Sequence, residues 1–125
     1  MDNGHVDRRK LVGADGERKA AGYLRENGYT IRQTNWRCKS GEIDIVAEKN
    51  GIVIFVEVRT RSTKGLYGTP LESVRARKQH QVRQTARIYL HQEGELERRI
   101  RFDVIAVQLS ADGRLLELRH IENAF

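Results

Sequence analysis

The fold is decided by the stretch GEIDIVAEKNGIVIFVEVRT, residues 41–60, in which two β-rich runs flank an Asn-Gly dipeptide. Asn50-Gly51 between two such runs is the strongest short-range signal of a two-residue β-hairpin, because both residues tolerate the backbone of that turn. We therefore expect strands over residues 42–48 and 52–60. The second run is apolar on both faces, which predicts a strand in the centre of a sheet.

Two helices are expected around this hairpin. Apolar spacing favours the first over residues 13–27, and the sequence Thr69-Pro70-Leu71-Glu72 combines an N-cap, a first-turn proline and a capping box at the start of the second. The second helix should end at Gly94. Residues 1–10 are polar and are expected to form a flexible basic tail, followed by a single domain over residues 11–125.

Three more strands complete the predicted architecture. They are expected over residues 29–34, 100–109 and 115–121, with a loop over residues 35–41. The order is then α-β-β-β-α-β-β, which predicts an α/β fold with a mixed sheet and helices packed on it.

Composition limits the class of protein. The chain has 125 residues, which suits one domain, and no apolar run approaches the roughly 18 residues that span a bilayer. Cys38 is the only cysteine, which excludes an internal disulfide and favours a reducing cytoplasm. The 23 Lys and Arg exceed the 17 Asp and Glu, for a net charge of +6. This basic excess favours a nucleic-acid partner, with a generically basic soluble protein as the alternative.

The hairpin register places two carboxylates opposite each other. With a two-residue turn, Asp44 opposes Glu57 and Glu42 opposes Arg59. Opposed side chains have Cβ atoms roughly 4.5–5.5 Å apart, so the carboxylates repel each other among apolar neighbours. Protonation, a nearby cation or a divalent metal would relieve that repulsion. Two alternatives stay open: a plain Glu42–Arg59 ion pair, and a solvated face without function. A one-residue slip would also separate Asp44 from Glu57.

Two further charged side chains lie on faces that should point inward. Glu17 shares a helical stripe with Ala20 and Leu24, so it is either a site residue or an edge residue that reaches solvent or an arginine. Lys78 lies on the apolar stripe of the second helix. It either brings an ammonium group near the carboxylates or extends to solvent at the helix edge.

Basic side chains around the second helix are candidates for phosphate contacts, with a solvated charged face as the alternative. On the helix they are Arg75, Arg77, Arg83 and Arg87, and before it Arg61 and Lys64. Asp103, between apolar neighbours in a strand, is expected to pair with an arginine.

Several segments resemble known families. Gly41-Glu42-Ile43-Asp44 followed by Val56-Glu57-Val58-Arg59 resembles the PD-(D/E)XK nuclease motif, in which an Asp and a Glu bind the metal and a Lys two residues after the Glu completes the site. Over nearly the whole chain, the sequence resembles the YraN family of small bacterial proteins, whose members look similar to archaeal Holliday junction resolvases. That likeness also includes Gly16-Glu17, Gly68-Thr69-Pro70, Arg101-Phe102-Asp103-Val104 and Asn123-Ala124-Phe125.

The resemblance implies a restriction-endonuclease-like fold and a metal-dependent, nuclease-like DNA-binding protein that hydrolyses phosphodiesters. It implies Asp44, Glu57 and the Val58 carbonyl as contacts for Mg²⁺ or Mn²⁺, with Glu17 as the helical carboxylate that completes the site. Phosphate contacts are expected from Arg61, Lys64, Arg75 and Lys78. Branched DNA and a homodimer follow only from the likeness to the resolvases.

Arg59 departs from the family pattern, which usually has Lys there. An arginine stays protonated and cannot act as a base, but it can offset phosphate charge. Two other functions therefore stay open: a nucleic-acid-binding module without turnover, and an adaptor for a protein partner.

Overall fold

Two helices and five strands make up the part of the chain that a computed structural model describes, residues 8–62 and 76–125. Their order, α-β-β-β-α-β-β, confirms the prediction. The elements are α1 (Arg8–Glu26), β1 (Thr30–Cys38), β2 (Gly41–Lys49), β3 (Ile52–Ser62), α2 (Ala76–Gln92), β4 (Arg99–Leu109) and β5 (Leu115–Ile121). Neither helix is both long and apolar enough to cross a membrane.

The five strands form one open mixed sheet in chain order. β3 pairs parallel with β4, and the other three neighbouring pairs are antiparallel. As predicted, β3 is central, and it is buried on both faces from Val53 to Glu57.

The β2–β3 hairpin has the predicted turn. Asn50 and Gly51 have positive φ angles of 53° and 78°, as this two-residue connection requires. The pairing runs from Lys49↔Ile52 to Ile45↔Val56. Since a slip of one residue would exchange the two faces, this register determines which side chains face each helix.

The helices cover opposite faces of the sheet. α1 packs Ala20 and Leu24 onto the face that carries Ile54, and α2 packs Val82 and Tyr89 onto the face that carries Phe55. Burial of these apolar surfaces is the main force that holds both layers to the sheet.

Glycine lets α1 approach β3 closely. A Cβ atom on Gly16 would overlap the side chain of Thr60, so any larger residue would push the helix away from the strand. The adjacent residue on the helix is Glu17, so this contact also fixes the position of a candidate site residue.

Two element bounds differ from the sequence prediction by more than two residues. α1 begins at Arg8 rather than at residue 13, so three residues of the expected tail are helical; residues 1–7 lie outside the described range. β1 continues to Cys38 through the expected loop, because Trp36 pairs with Ile43 and packs edge-on against Tyr89, with ring centroids 5.3 Å apart. The predicted start of the second helix at Thr69 also lies outside the described residues.

Candidate metal centre

The regular hairpin ladder ends at the two acidic residues. The paired register stops at Ile45↔Val56, one pair before Asp44 and Glu57. The backbone amide of Val58 donates a 2.8 Å hydrogen bond to Oδ2 of Asp44. The side chain of Asp44, rather than a backbone carbonyl of β2, therefore accepts the hydrogen bond of this amide.

The alternation of side chains along β2 changes at the same place. Ile45 faces α1, while Ile43 and Val46 both pack in the cluster beneath α2. Strict alternation would put Ile43 on the same face as Ile45. The strand is therefore irregular at Asp44, where its side chain and that of Glu57 come together.

Glu57 is a buried carboxylate with one oxygen unsatisfied. The residue is only 4% exposed. Its Oε1 lies 3.6 Å from Nζ of Lys78. Its Oε2 is buried and has no hydrogen-bond partner among the described residues. Such an oxygen is expensive to bury. The alternative of a solvated face is therefore wrong.

The electrostatics of the pair are those of crowded carboxylates. Burial, followed by the charge of Asp44, raises the pKa of Glu57 to about 8. Burial is also the largest influence on Asp44, whose pKa rises to about 6 although the Val58 amide opposes the change. A cation between the carboxylates would relieve this penalty.

α1 brings Glu17 to the same group of charges. Burial and the charge of Glu42 raise the pKa of the half-buried Glu17, while Asn35 and Arg37 oppose that increase. Glu17 in turn helps to raise the pKa of Asp44. Its assignment as the carboxylate that completes the site stays a prediction.

Asn35 is a site neighbour that the sequence analysis missed. It lies inside β1 with a positive φ of 52°, a conformation that asparagine tolerates better than most residues. Its side chain opposes the raised pKa of Glu17. The only sequence signal was an asparagine directly before Trp36, in a segment predicted as a loop.

Of the two positions expected for Lys78, near the carboxylates or extended into solvent, the structure shows the first, in contact with Glu57. The charge of the lysine ammonium group partly opposes the rise in the pKa of both Asp44 and Glu57. The Lys78 side chain is 46% exposed. The helix thus places a cation at the edge of the site rather than directing it entirely into solvent.

The alternative of a Glu42–Arg59 ion pair is wrong. Glu42 pairs instead with Arg37 of β1, at 3.2 Å, because these two residues are register partners. No ion pair joins Glu42 to Arg59 within residues 8–62 and 76–125. Arg59 is half-buried and is the weakest of five influences on the pKa of Glu57.

The predicted phosphate contacts are only partly described. Arg61 lies half-buried at the end of β3, and Arg77 and Arg87 are exposed on α2. Arg83 lies over two aromatic rings, those of Phe102 and Phe125, at 5.7 and 5.4 Å. The predicted contacts Lys64 and Arg75 lie outside the described residues.

Two carboxylates suit a Mg²⁺ ion that keeps several waters better than a metal ion whose ligands are all protein side chains. Across the described part of the chain, no three His, Cys, Asp or Glu residues group closely enough to hold a metal. Mg²⁺ is commonly held by one or two carboxylates while it keeps several waters. Asp44 and Glu57 satisfy that need, and the unsatisfied Oε2 of Glu57 offers a free ligand atom. The Val58 carbonyl is the predicted main-chain contact.

A second buried carboxylate, Asp103, shows the contrast. As expected it pairs with an arginine: Arg101 donates two 2.9 Å hydrogen bonds. His120 contributes another at 2.7 Å, and the Asn123 amide one at 3.1 Å. Burial alone would raise the pKa of Asp103, but these hydrogen bonds outweigh burial and lower it. Asp103 is therefore satisfied by the fold, and Glu57 is not.

Comparison with known proteins identifies the family. The profile described as "Uncharacterised protein family UPF0102" matches residues 16–107. A UPF0102 protein of Alkaliphilus oremlandii is 45% identical over 118 residues, which cover 93% of this chain and 98% of the relative. A UPF0102 protein of Pelotomaculum thermopropionicum is 43% identical over 120 residues, covering 96% and 99%. The chain belongs to the UPF0102 family.

Proposed function

We propose that this member of the UPF0102 family is a nuclease that needs a divalent metal ion and hydrolyses phosphodiester bonds in DNA. One observation carries the proposal: Asp44 and Glu57 interact where the hairpin ladder ends, and a buried oxygen of Glu57 has no hydrogen-bond partner among residues 8–62 and 76–125. A protein that needed these residues only for stability would gain by satisfying or replacing them.

Each side chain has a distinct task in this proposal. Asp44 and Glu57 hold Mg²⁺ or Mn²⁺, with the Val58 carbonyl as a further contact. When bound, the ion supplies positive charge that polarises the scissile phosphate and makes water easier to deprotonate. Glu17 adds negative charge near Asp44 from α1, outside the pair of carboxylates that holds the ion. Arg59 offsets the negative charge that grows on the phosphate during hydrolysis.

Charge and family likeness support DNA as the substrate. The net charge of +6 favours a polyanion, and Arg77 and Arg87 are exposed on α2, the helix that carries Lys78. Branched DNA and a homodimer rest on the likeness to resolvases alone, which is an argument by analogy.

Metal binding and DNA cleavage test the proposal together. The protein should bind Mn²⁺ in calorimetric titration, and Mn²⁺ or Mg²⁺ should support cleavage of one member of a panel of linear, flapped and four-way DNA. Asp44→Asn and Glu57→Gln should each abolish both Mn²⁺ binding and DNA cleavage. Glu97→Gln, at an exposed loop position, should change neither. Full metal binding by Asp44→Asn and Glu57→Gln would contradict the proposal.

Arg59 favours a second candidate, a DNA-binding module without turnover. Arg59 stands where such a site usually has a lysine, and an arginine cannot take a proton from water. If that loss alone prevents cleavage, Arg59→Lys should introduce activity that depends on metal. Tight DNA binding without cleavage by either the native protein or Arg59→Lys would favour the module.

A further inference from the structure

Among the described residues, the cation that contacts the candidate metal ligands comes from α2, not from the motif position Arg59. Nζ of Lys78 lies 3.6 Å from Oε1 of Glu57, and the charge of Lys78 acts on both Glu57 and Asp44. Arg59, which occupies the motif position, affects the pKa of Glu57 less. Lys78 thus supplies positive charge where the proposed metal would.

A divalent ion and this ammonium group compete for the same carboxylates. Two like charges a few ångström apart repel each other strongly in a partly dehydrated site. A doubly charged ion bound to Glu57 therefore weakens the ion pair between Glu57 and Lys78. Within the described part of the chain, the other carboxylate oxygen of Glu57, Oε2, has no hydrogen-bond partner, so it can bind the ion while Oε1 still contacts Lys78.

Lys78 can leave without disturbing the fold. Its side chain is 46% exposed, and a four-carbon stem lets the ammonium group swing into solvent. The apolar contacts of α2 with the sheet are made by other residues, Val82, Ala86 and Tyr89 among them. Release of the lysine therefore breaks one ion pair and leaves the core intact.

We propose that Lys78 is an internal counter-ion that the metal displaces, and that the released ammonium group then binds a phosphate of the nucleic acid. This inference rests on the proposed function, because it needs a metal at Asp44 and Glu57. It makes metal and DNA binding mutually supportive: each ligand strengthens the other by the same factor, as thermodynamic linkage requires.

The decisive experiment is calorimetric titration of the metal-free protein with Mn²⁺ alone. Lys78→Met should bind Mn²⁺ more tightly than the native protein, by roughly tenfold, because no ammonium group has to be displaced. Lys39→Met removes the same charge from the exposed β1–β2 turn and should leave the affinity unchanged. Unchanged or weaker binding by Lys78→Met would overturn the inference while leaving the metal site in place. Absence of Mn²⁺ binding in every variant would overturn the proposed function as well.

A second measurement covers the case in which Lys78→Met folds poorly. Lys78→Gln keeps a polar side chain of similar reach, and its affinity for a short DNA duplex is measured with and without Ca²⁺, another cation that prefers oxygen ligands. In the native protein Ca²⁺ should tighten DNA binding, by at least roughly fivefold. In Lys78→Gln that gain should largely disappear. An equal gain in both proteins would refute the displacement of Lys78.

Discussion

At the scale of single residues, Glu57 and Asp103 show how a fold can treat two buried carboxylates in opposite ways. Asp103 accepts hydrogen bonds from Arg101, His120 and Asn123, while one oxygen of Glu57 has no partner within the described ranges. The two residues should therefore respond oppositely to loss of charge.

Glu57→Gln should stabilise the metal-free protein. At pH 8 the substitution removes a buried charge that repels Asp44, and it should raise the free energy of unfolding by about 1–3 kcal/mol. Thermal denaturation in the presence of a chelator measures this, with Glu97→Gln as the matched control. A lower melting temperature for Glu57→Gln would mean that the fold needs this carboxylate for stability.

Asp103→Asn should do the reverse and cost about 3–5 kcal/mol at pH 7, because it removes the fully buried charge that Arg101, His120 and the Asn123 amide all contact. The lowered pKa of Asp103 also sets a pH dependence. Its contribution is complete above the ordinary aspartate pKa of about 3.9, and it is lost as the pH falls below that value toward the folded-state pKa. Denaturant titrations of both proteins should therefore show a difference in unfolding free energy that narrows as the pH falls below about 3.9. Curves that stay parallel would exclude Asp103 as the source of acid sensitivity.

At the scale of elements, the packing of α1 on β3 depends on one missing side chain. Gly16→Ala puts a Cβ atom into the side chain of Thr60 and should cost about 1–3 kcal/mol of stability. Gly22→Ala, in the same helix with open space around it, should instead stabilise the protein by roughly 0.5–1 kcal/mol. Addition of Thr60→Ala to Gly16→Ala should recover part of the loss. Equal effects of the two glycine substitutions would show that helix propensity, not the contact, decides.

Local signals in the sequence predicted the hairpin well. Asn50-Gly51 specifies its own turn, and the register from Lys49↔Ile52 to Ile45↔Val56 is the predicted one. The predicted pairs of Asp44 with Glu57 and of Glu42 with Arg59 lie beyond the end of this ladder. The order of all seven elements was likewise predicted correctly from periodicity and turn residues.

Contacts between distant elements could not be predicted in the same way. β1 extends to Cys38 because Trp36 packs on Tyr89, which belongs to α2. The approach of Lys78 to Glu57 depends on how α2 lies across the sheet, so periodicity could only offer it as one of two positions. The ion pair of Glu42 with Arg37 also depends on the extension of β1, because Arg37 lies in the part of β1 beyond the expected strand of residues 29–34.

At the scale of the whole molecule, the basic excess should make nucleic-acid binding sensitive to salt. Each phosphate that a Lys or Arg neutralises releases counterions, so DNA affinity should fall by roughly 10- to 100-fold between 50 and 200 mM salt. Fluorescence anisotropy with a labelled four-way DNA measures the slope. Affinity that hardly changes with salt, or no affinity at all, would favour the protein-partner adaptor.

The parallel pairing of β3 with β4 has a kinetic consequence. The β2–β3 hairpin closes through a two-residue turn, whereas β4 can join β3 only after the intervening chain has looped back. Glu57 is therefore expected to lose its hydration only when α2 and β4 dock on the hairpin. If that docking follows the rate-limiting step, an ion that binds this carboxylate should slow unfolding and leave the folding rate unchanged.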